Sequence, residues 1–204
     1  MAPTQQPQQT TVTKPPRQRP HILRWVATFF LALIVLVGIA VLIIWLVIKP
    51  KRLVFSVEDG SVHNFNISND NHLNASFNFV VRSYNPNSRV SIYYDSIESR
   101  VDYDDQTLAF NVVDPFFQPH RNVTRLQVKL AAQSTALLGS VSKDIKMEKS
   151  SGEMELDLWL KARIRFKVGA WKSSHRTLRV SCSPVVVHFS RPKAFNRALC
   201  DVEL

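Results

Sequence analysis

Twenty-three consecutive residues without a charged side chain, Val26 to Ile48 (VATFFLALIVLVGIAVLIIWLVI), constrain this chain more than any other feature. About 20 apolar residues rising ~1.5 Å each cross a hydrocarbon core of ~30 Å. In lipid a helix satisfies its own backbone groups without water, so the run is expected to be helical. Trp25 and Trp45 stand near its two ends, where indole rings suit the membrane–water interface. A buried helix of this length in a soluble protein would show a polar stripe, and this run has none. A cleaved signal peptide has a shorter apolar region, about 7–15 residues, closed by a small-x-small site. Here Lys49-Pro50-Lys51-Arg52 follows instead, which favours an uncleaved signal-anchor over residues 22–48. Only Gly38 interrupts the run, so it offers no Gly-x-x-x-Gly dimerisation face.

The formal net charge of +10 invites a nucleic-acid reading, and its distribution argues against one. Lys14, Arg17, Arg19 and Arg24 precede the run with no acid among them, and Lys49, Lys51 and Arg52 follow it. Residues 53–204 hold 19 basic and 16 acidic side chains, so the excess flanks the apolar segment, where cations meet lipid headgroups. The lipid bilayer is the expected partner. Residues 1–21 contain five of the 11 prolines and few apolar groups, a composition that cannot bury a core, and a disordered cytosolic tail is expected there.

Orientation follows from two weak signals that agree. Four cations before the span against three after it favour a cytosolic N-terminus. The Asn-x-Ser/Thr sequons at Asn66, Asn74 and Asn122 all follow the span. Asn66 and Asn74 alternate with apolar neighbours, which directs them outward on strands, and Asn122 follows Pro119 in an expected loop. Cys182 and Cys200 either close a disulfide in an oxidising compartment or remain two unpaired thiols, the bridge being the expectation.

Beyond Arg52 the apolar pattern has period two. Leu53, Phe55 and Val57 alternate, Asp59-Gly60 offers a hairpin turn, and Phe65 and Ile67 resume. Leu73 to Val81 forms another alternating run, ended by the turn chemistry of Asn85-Pro86-Asn87. Further strands are expected at Val90–Tyr94, Leu126–Leu130 and Leu178–Phe189, and a short helix within residues 131–148. The clearest pattern runs from Glu153 to Val168, with apolar side chains at every even position and seven charged side chains plus Trp159 at the odd ones. Sixteen residues are long for one strand, so a bulge or bend is expected to divide it. Many strands with one polar face predict an all-β, antiparallel sandwich over residues 49–204.

Several phrases in this order resemble the plant late-embryogenesis-abundant group 2 superfamily, in its harpin-induced, non-race-specific-disease-resistance branch. They are Ser83-Tyr84-Asn85-Pro86-Asn87, Ile92-Tyr93-Tyr94-Asp95, Pro115-Phe116-Phe117-Gln118 and Ala162 through Gly169 (ARIRFKVG). Trp171-Lys172-Ser173, Val180-Ser181-Cys182 and Cys200-Asp201-Val202 complete the set. The resemblance implies an immunoglobulin- or fibronectin-like sandwich at the plant plasma membrane, sometimes at plasmodesmata. It also implies a part in defence responses, including hypersensitive cell death. It carries over no catalytic residue.

The residues advertise no enzyme. The chain lacks a Gly-x-Ser-x-Gly elbow, a phosphate-cradling glycine loop and a His-Glu-x-x-His motif, and no cofactor is expected. His63 and His72, and Asp102, Asp104 and Asp105 near Asp95 and Glu98, are read as solvated loops rather than metal sites. The face Lys161, Arg163, Arg165 and Lys167 is the candidate binding surface, for anionic lipid or cell-wall polysaccharide. Its alternative is an ordinary charged face paired with acids on a neighbouring strand. The expectation is a non-enzymatic, membrane-tethered interaction module that also meets membrane proteins, with lipid binding or stress protection as its rival. A lipid slot in that rival would be lined by Phe77, Phe79, Leu158, Leu160 and Phe166.

Overall fold

The structure, a computed structural model, describes residues 21–48, 51–189 and 195–204. The chain divides after Lys49 into two compact units. In the first, the apolar run forms helix α1 (His21–Ile48). Every side chain from Leu23 to Ile43 is exposed, and this segment has a mean hydropathy of 3.1. By length and composition, such a helix is apolar enough to cross a membrane. Residues 1–20 of the expected tail, the Lys49-Pro50 step and the Trp45 side chain lie outside what is described.

The second unit is built of β1 (Val54–Ile67), β2 (His72–Tyr84), β3 (Ser91–Tyr103), β4 (Gln106–Val113), β5 (Phe116–Gln118) and β6 (Val123–Ala136). After α2 (Gly139–Ser151) come β7 (Glu153–Val168), β8 (Trp171–Lys172), β9 (Arg176–His188) and β10 (Ala198–Glu203). Eight strands lie in the order β4-β3-β7-β9-β10-β1-β2-β6, with β5 on β3 and β8 on β7. Pairing is antiparallel, apart from one parallel contact between Ser61 of β1 and His188 of β9. The two ends of this order meet through side chains. Asn111 Nδ2 of β4 donates to the Lys129 carbonyl of β6 at 2.7 Å, and Thr135 Oγ1 of β6 donates to the Leu108 carbonyl at 3.1 Å. The all-β antiparallel expectation therefore holds, and the two layers are halves of one sheet curled into a near-barrel.

Alternation decides what fills it. Along β2, Leu73, Ala75, Phe77, Phe79 and Val81 are buried, and along β7 so are Met154, Leu156, Leu158, Leu160, Ala162 and Ile164. Each large apolar side chain removed from water this way contributes about 1.5–3 kcal/mol. Phe77, Phe79, Leu158 and Leu160 are thus packed core, with Phe166 half-buried against it.

Three local expectations change. Asp59-Gly60 is not a hairpin turn: β1 runs through it, with Glu58 as an extra residue between the Val57–Val81 and Asp59–Val80 pairs. Gly60 is there for space, since a Cβ would lie 2.9 Å from Phe195 and 3.1 Å from Phe79. The chain reverses instead at residues 68–71, where Asn71 takes a φ of 61°. The helix in the 131–148 region starts later, because β6 continues to Ala136 and α2 occupies Gly139–Ser151. And β7 is undivided over its 16 residues. The irregularities sit on its neighbours, where Asp95 of β3 and one residue of Ser183-Pro184 in β9 are extra.

Candidate functional site

The outward face of β7 changes sign along its length: Glu153, Glu155 and Asp157 come first, then Lys161, Arg163, Arg165 and Lys167. Two of these four cations are engaged by β3. Arg165 makes a two-point contact with Asp95, Nε to Oδ2 at 2.8 Å and Nη2 to Oδ1 at 2.5 Å. That bond holds the Asp95 carboxyl below its ordinary range, against the opposing effect of burial. Lys161 lies 3.7 Å from Glu98, and both are exposed. Arg163 is exposed and acts on Asp95 through its charge alone, and Lys167 turns to aromatic rings instead.

Those rings form a cluster that charge counting does not reveal. Tyr93 of β3 and Phe117 of β5 have centroids 4.6 Å apart. Lys167 Nζ lies 5.9 Å from the first and 5.7 Å from the second, and Lys172 Nζ of β8 lies 4.6 Å from Tyr93. Cations over ring faces are held by the quadrupole while keeping their charge. The register Tyr93–Phe117 and Tyr93–Arg165 makes this possible, and a single sequence shows no such cross-strand partner.

Cys182 of β9 and Cys200 of β10 are joined by a disulfide. Asn66 and Asn74 are exposed and lie directly opposite one another on β1 and β2. Asn122 is half-buried in the loop before β6, its carbonyl taking the Asn85 N–H at 3.0 Å. The histidines are not brought together: His63 faces Ser76, and His72 Nδ1 lies 3.0 Å from Asp70. The acids disperse along β3. Asp102 meets Arg100 at 3.0 Å, while Asp104 and Asp105, with φ of 46° and 61°, make the two-residue turn into β4. Among the described residues no group of three or more His, Cys, Asp or Glu is arranged to hold a metal ion. An apolar cleft of about 630 Å³ lies outside the core between Phe110, Val112, Trp159, Leu160, Lys161 and Arg179.

The family model for late embryogenesis abundant protein matches residues 80–182. An uncharacterized protein of Arabidopsis thaliana is 37% identical over 92% of this chain and 86% of its own length. NDR1/HIN1-like protein 3 of Arabidopsis thaliana is 36% identical, covering 83% of this chain and 75% of that protein. The chain belongs to the late embryogenesis abundant family, in its NDR1/HIN1-like branch. NDR1/HIN1-like protein 10 of Arabidopsis thaliana is 32% identical over 74% of this chain and 68% of its own. A solved structure from Archaeoglobus fulgidus, 11% identical, covers 67% of this chain and 99% of its own with a TM-score of 0.34, too distant to carry an argument.

The phrases that carry the resemblance meet one another inside the fold. Ser83 Oγ and the Tyr94 hydroxyl both donate to Gln118 Oε1 at 3.2 Å, and Gln118 Nε2 returns a bond to the Ser83 carbonyl at 3.0 Å. All three residues are buried, and burial drives the Tyr94 phenol well above its usual range. Asn85 Nδ2 donates to the Val90 and Pro119 carbonyls, so it ties the turn after β2 to the loop after β5. Phe166 and Ser173 bond each other through their backbones and through Ser173 Oγ. In this member of the NDR1/HIN1-like branch the phrases chiefly satisfy buried polar groups.

Proposed function

We propose that this chain is a non-enzymatic, membrane-anchored interaction protein of plants, acting in defence, including hypersensitive cell death, or in stress responses. Its N-terminus lies in the cytosol and its β-domain outside, at the plasma membrane and plasmodesmata. The observation that carries this reading is an all-round apolar helix joined, in one NDR1/HIN1-like chain, to a β-domain closed by a disulfide. Disulfides persist in oxidising compartments, which supports the outward placement. The exposed sequons Asn66 and Asn74 support it too, because a glycan needs a solvated acceptor. The interaction runs through the cations of β7, with Arg163 exposed and Lys167 set over the Tyr93 and Phe117 rings, towards anionic lipid, cell-wall polysaccharide or membrane proteins.

Sealed membrane vesicles from plant tissue provide the test. The chain should stay with the membranes through an alkaline carbonate wash, and its glycosylated β-domain should resist protease added from the cytosolic side. A β-domain that lacks glycan and is digested from that side would reverse the topology. A second reading, a lipid-binding or desiccation-protective module, is favoured by the apolar cleft beside Phe110 and Trp159. Mass spectrometry of lipids retained by the purified protein separates the two, and an empty protein removes the second.

A further inference from the structure

The β-domain has two chemically different ends. At one end the turn after β3 and the helix α2 present Asp104, Asp105, Asp144, Glu148 and, at the start of β7, Glu153 and Glu155, against Lys143, Lys146 and Lys149. At the other end the strand termini and loops present Arg52, Arg89, Arg121, Lys167, Lys172 and Arg176. The acids there are fewer: Asp95 is engaged by Arg165, Asp114 lies in the link after β4, Asp201 shares a cleft with Arg52, and Glu203 ends β10 opposite Arg179. The same basic end exposes large rings, with Trp171 at 62% and Phe117 at 42%. It is also the end at which the chain enters the domain, since Asn87 fixes Lys51 there, three positions after the last residue of α1.

We propose that this basic, aromatic end docks on the phosphate headgroups of the bilayer that holds α1, an inference that rests on α1 as a membrane anchor and applies to whichever leaflet the β-domain faces. Three features favour a headgroup layer over a soluble polyanion. The cations are spread over several loops at one end, as a plane of phosphates requires, rather than along a groove that would track a polymer. Indole and phenyl rings beside lysines suit the interfacial zone, where an apolar body and a polar neighbour are both accommodated. And a lysine near an anionic surface is attracted strongly enough for a handful to bias one face towards it. The opposite end, rich in carboxylates, is repelled by the same surface, so the two ends together set a preferred orientation. Lys161, near the middle of β7 and beside Glu98, is secondary in this arrangement.

The test uses the full chain in nanodiscs of phosphatidylcholine alone or with phosphatidylserine, read by hydrogen–deuterium exchange. Backbone amides in residues 116–121 and 170–176 should exchange about fivefold or more slowly on anionic discs than on neutral ones, and 0.5 M salt should remove about that whole difference. Lys167→Glu with Lys172→Glu should abolish the protection, whereas Lys143→Glu with Lys146→Glu should leave it intact. Unchanged exchange across the rest of the sheet confirms that each variant is folded. Equal exchange on both kinds of disc, with the chain still inserted, overturns the docking and leaves the anchor standing. A chain that fails to enter discs at all overturns the anchor as well. Protection by soluble polygalacturonate but not by lipid overturns the proposal in favour of a cell-wall ligand.

Discussion

Asn87 grips the backbone of Lys51 from both sides: its Oδ1 accepts the Lys51 N–H at 2.6 Å, and its Nδ2 donates to the Lys51 carbonyl at 3.0 Å. The same Nδ2 reaches Asn85 Oδ1 at 2.9 Å, so one side chain joins the entering strand to the turn after β2. The side chain is buried, and its removal takes a donor from the buried Asn85 Oδ1 as well as both bonds from Lys51. Asn87→Ala should therefore destabilise the β-domain by roughly 2–3 kcal/mol, measured by urea denaturation of the detergent-solubilised chain. Asn87→Asp keeps the acceptor for Lys51 but sets a carboxylate against the Asn85 oxygen, and should be at least as damaging. Two variants within about 0.5 kcal/mol of the parent would show that the grip contributes nothing.

The Cys182–Cys200 bridge closes a loop with a sequence separation of 18. β10 has only six residues, so the bridge restrains a short strand that lies between β9 and β1. Replacing both cysteines by alanine should lower stability by about 2–4 kcal/mol, through the greater freedom of the unfolded chain. Urea curves of the oxidised parent with and without reductant should reproduce most of that difference. If reduction leaves the midpoint unmoved, β10 is held by its ladder and packing alone.

Much of this fold was legible because strand alternation is a local signal. The even-numbered apolar residues of β7 could be assigned to the core from the sequence, and they are buried there. What stayed hidden depends on partners far along the chain. Ser83, Tyr94 and Gln118 look like unrelated turn and strand residues until the register brings them within hydrogen-bond reach. Likewise the four cations of β7 look equivalent in sequence, and only the β3 register shows that Asp95 and Glu98 answer two of them. The aromatic partners of Lys167 and Lys172 were missed for the same reason. Asp59-Gly60 misled because the dipeptide suits a tight turn, whereas the crowding by Phe79 and Val187 that requires glycine comes from other strands.

That crowding makes a prediction opposite to the usual effect of such a change. In most strands Gly→Ala reduces backbone freedom in the unfolded state and stabilises. At Gly60 a methyl group would sit 3.1 Å from Phe79 and 3.2 Å from Val187, both buried, so the core must shift to admit it. Gly60→Ala should cost about 1–3 kcal/mol, and Gly60→Val more. A thermal melt of the alanine variant at or above the parent's temperature would show that Phe195 and its neighbours yield freely.

Acid should weaken the fold partly through Asp95. Its carboxyl is held below the ordinary range chiefly by the Arg165 hydrogen bond, so the folded state favours the ionised form. A depressed folded pKa contributes stability that is complete above the unfolded value, about 4 for Asp, and is lost as pH falls through the folded value. Asp95→Asn removes the charge at every pH, so the parent's advantage over it should be widest at neutral pH and close as pH falls below about 4. Urea midpoints of both proteins between neutral and strongly acid pH give that difference directly. The acid limb will not vanish in the variant, because Glu58, held down by Arg125, behaves in the same sense. A gap that stays constant with pH would mean that Asn replaces the carboxylate only sterically, and one that widens in acid would reverse the assigned sign.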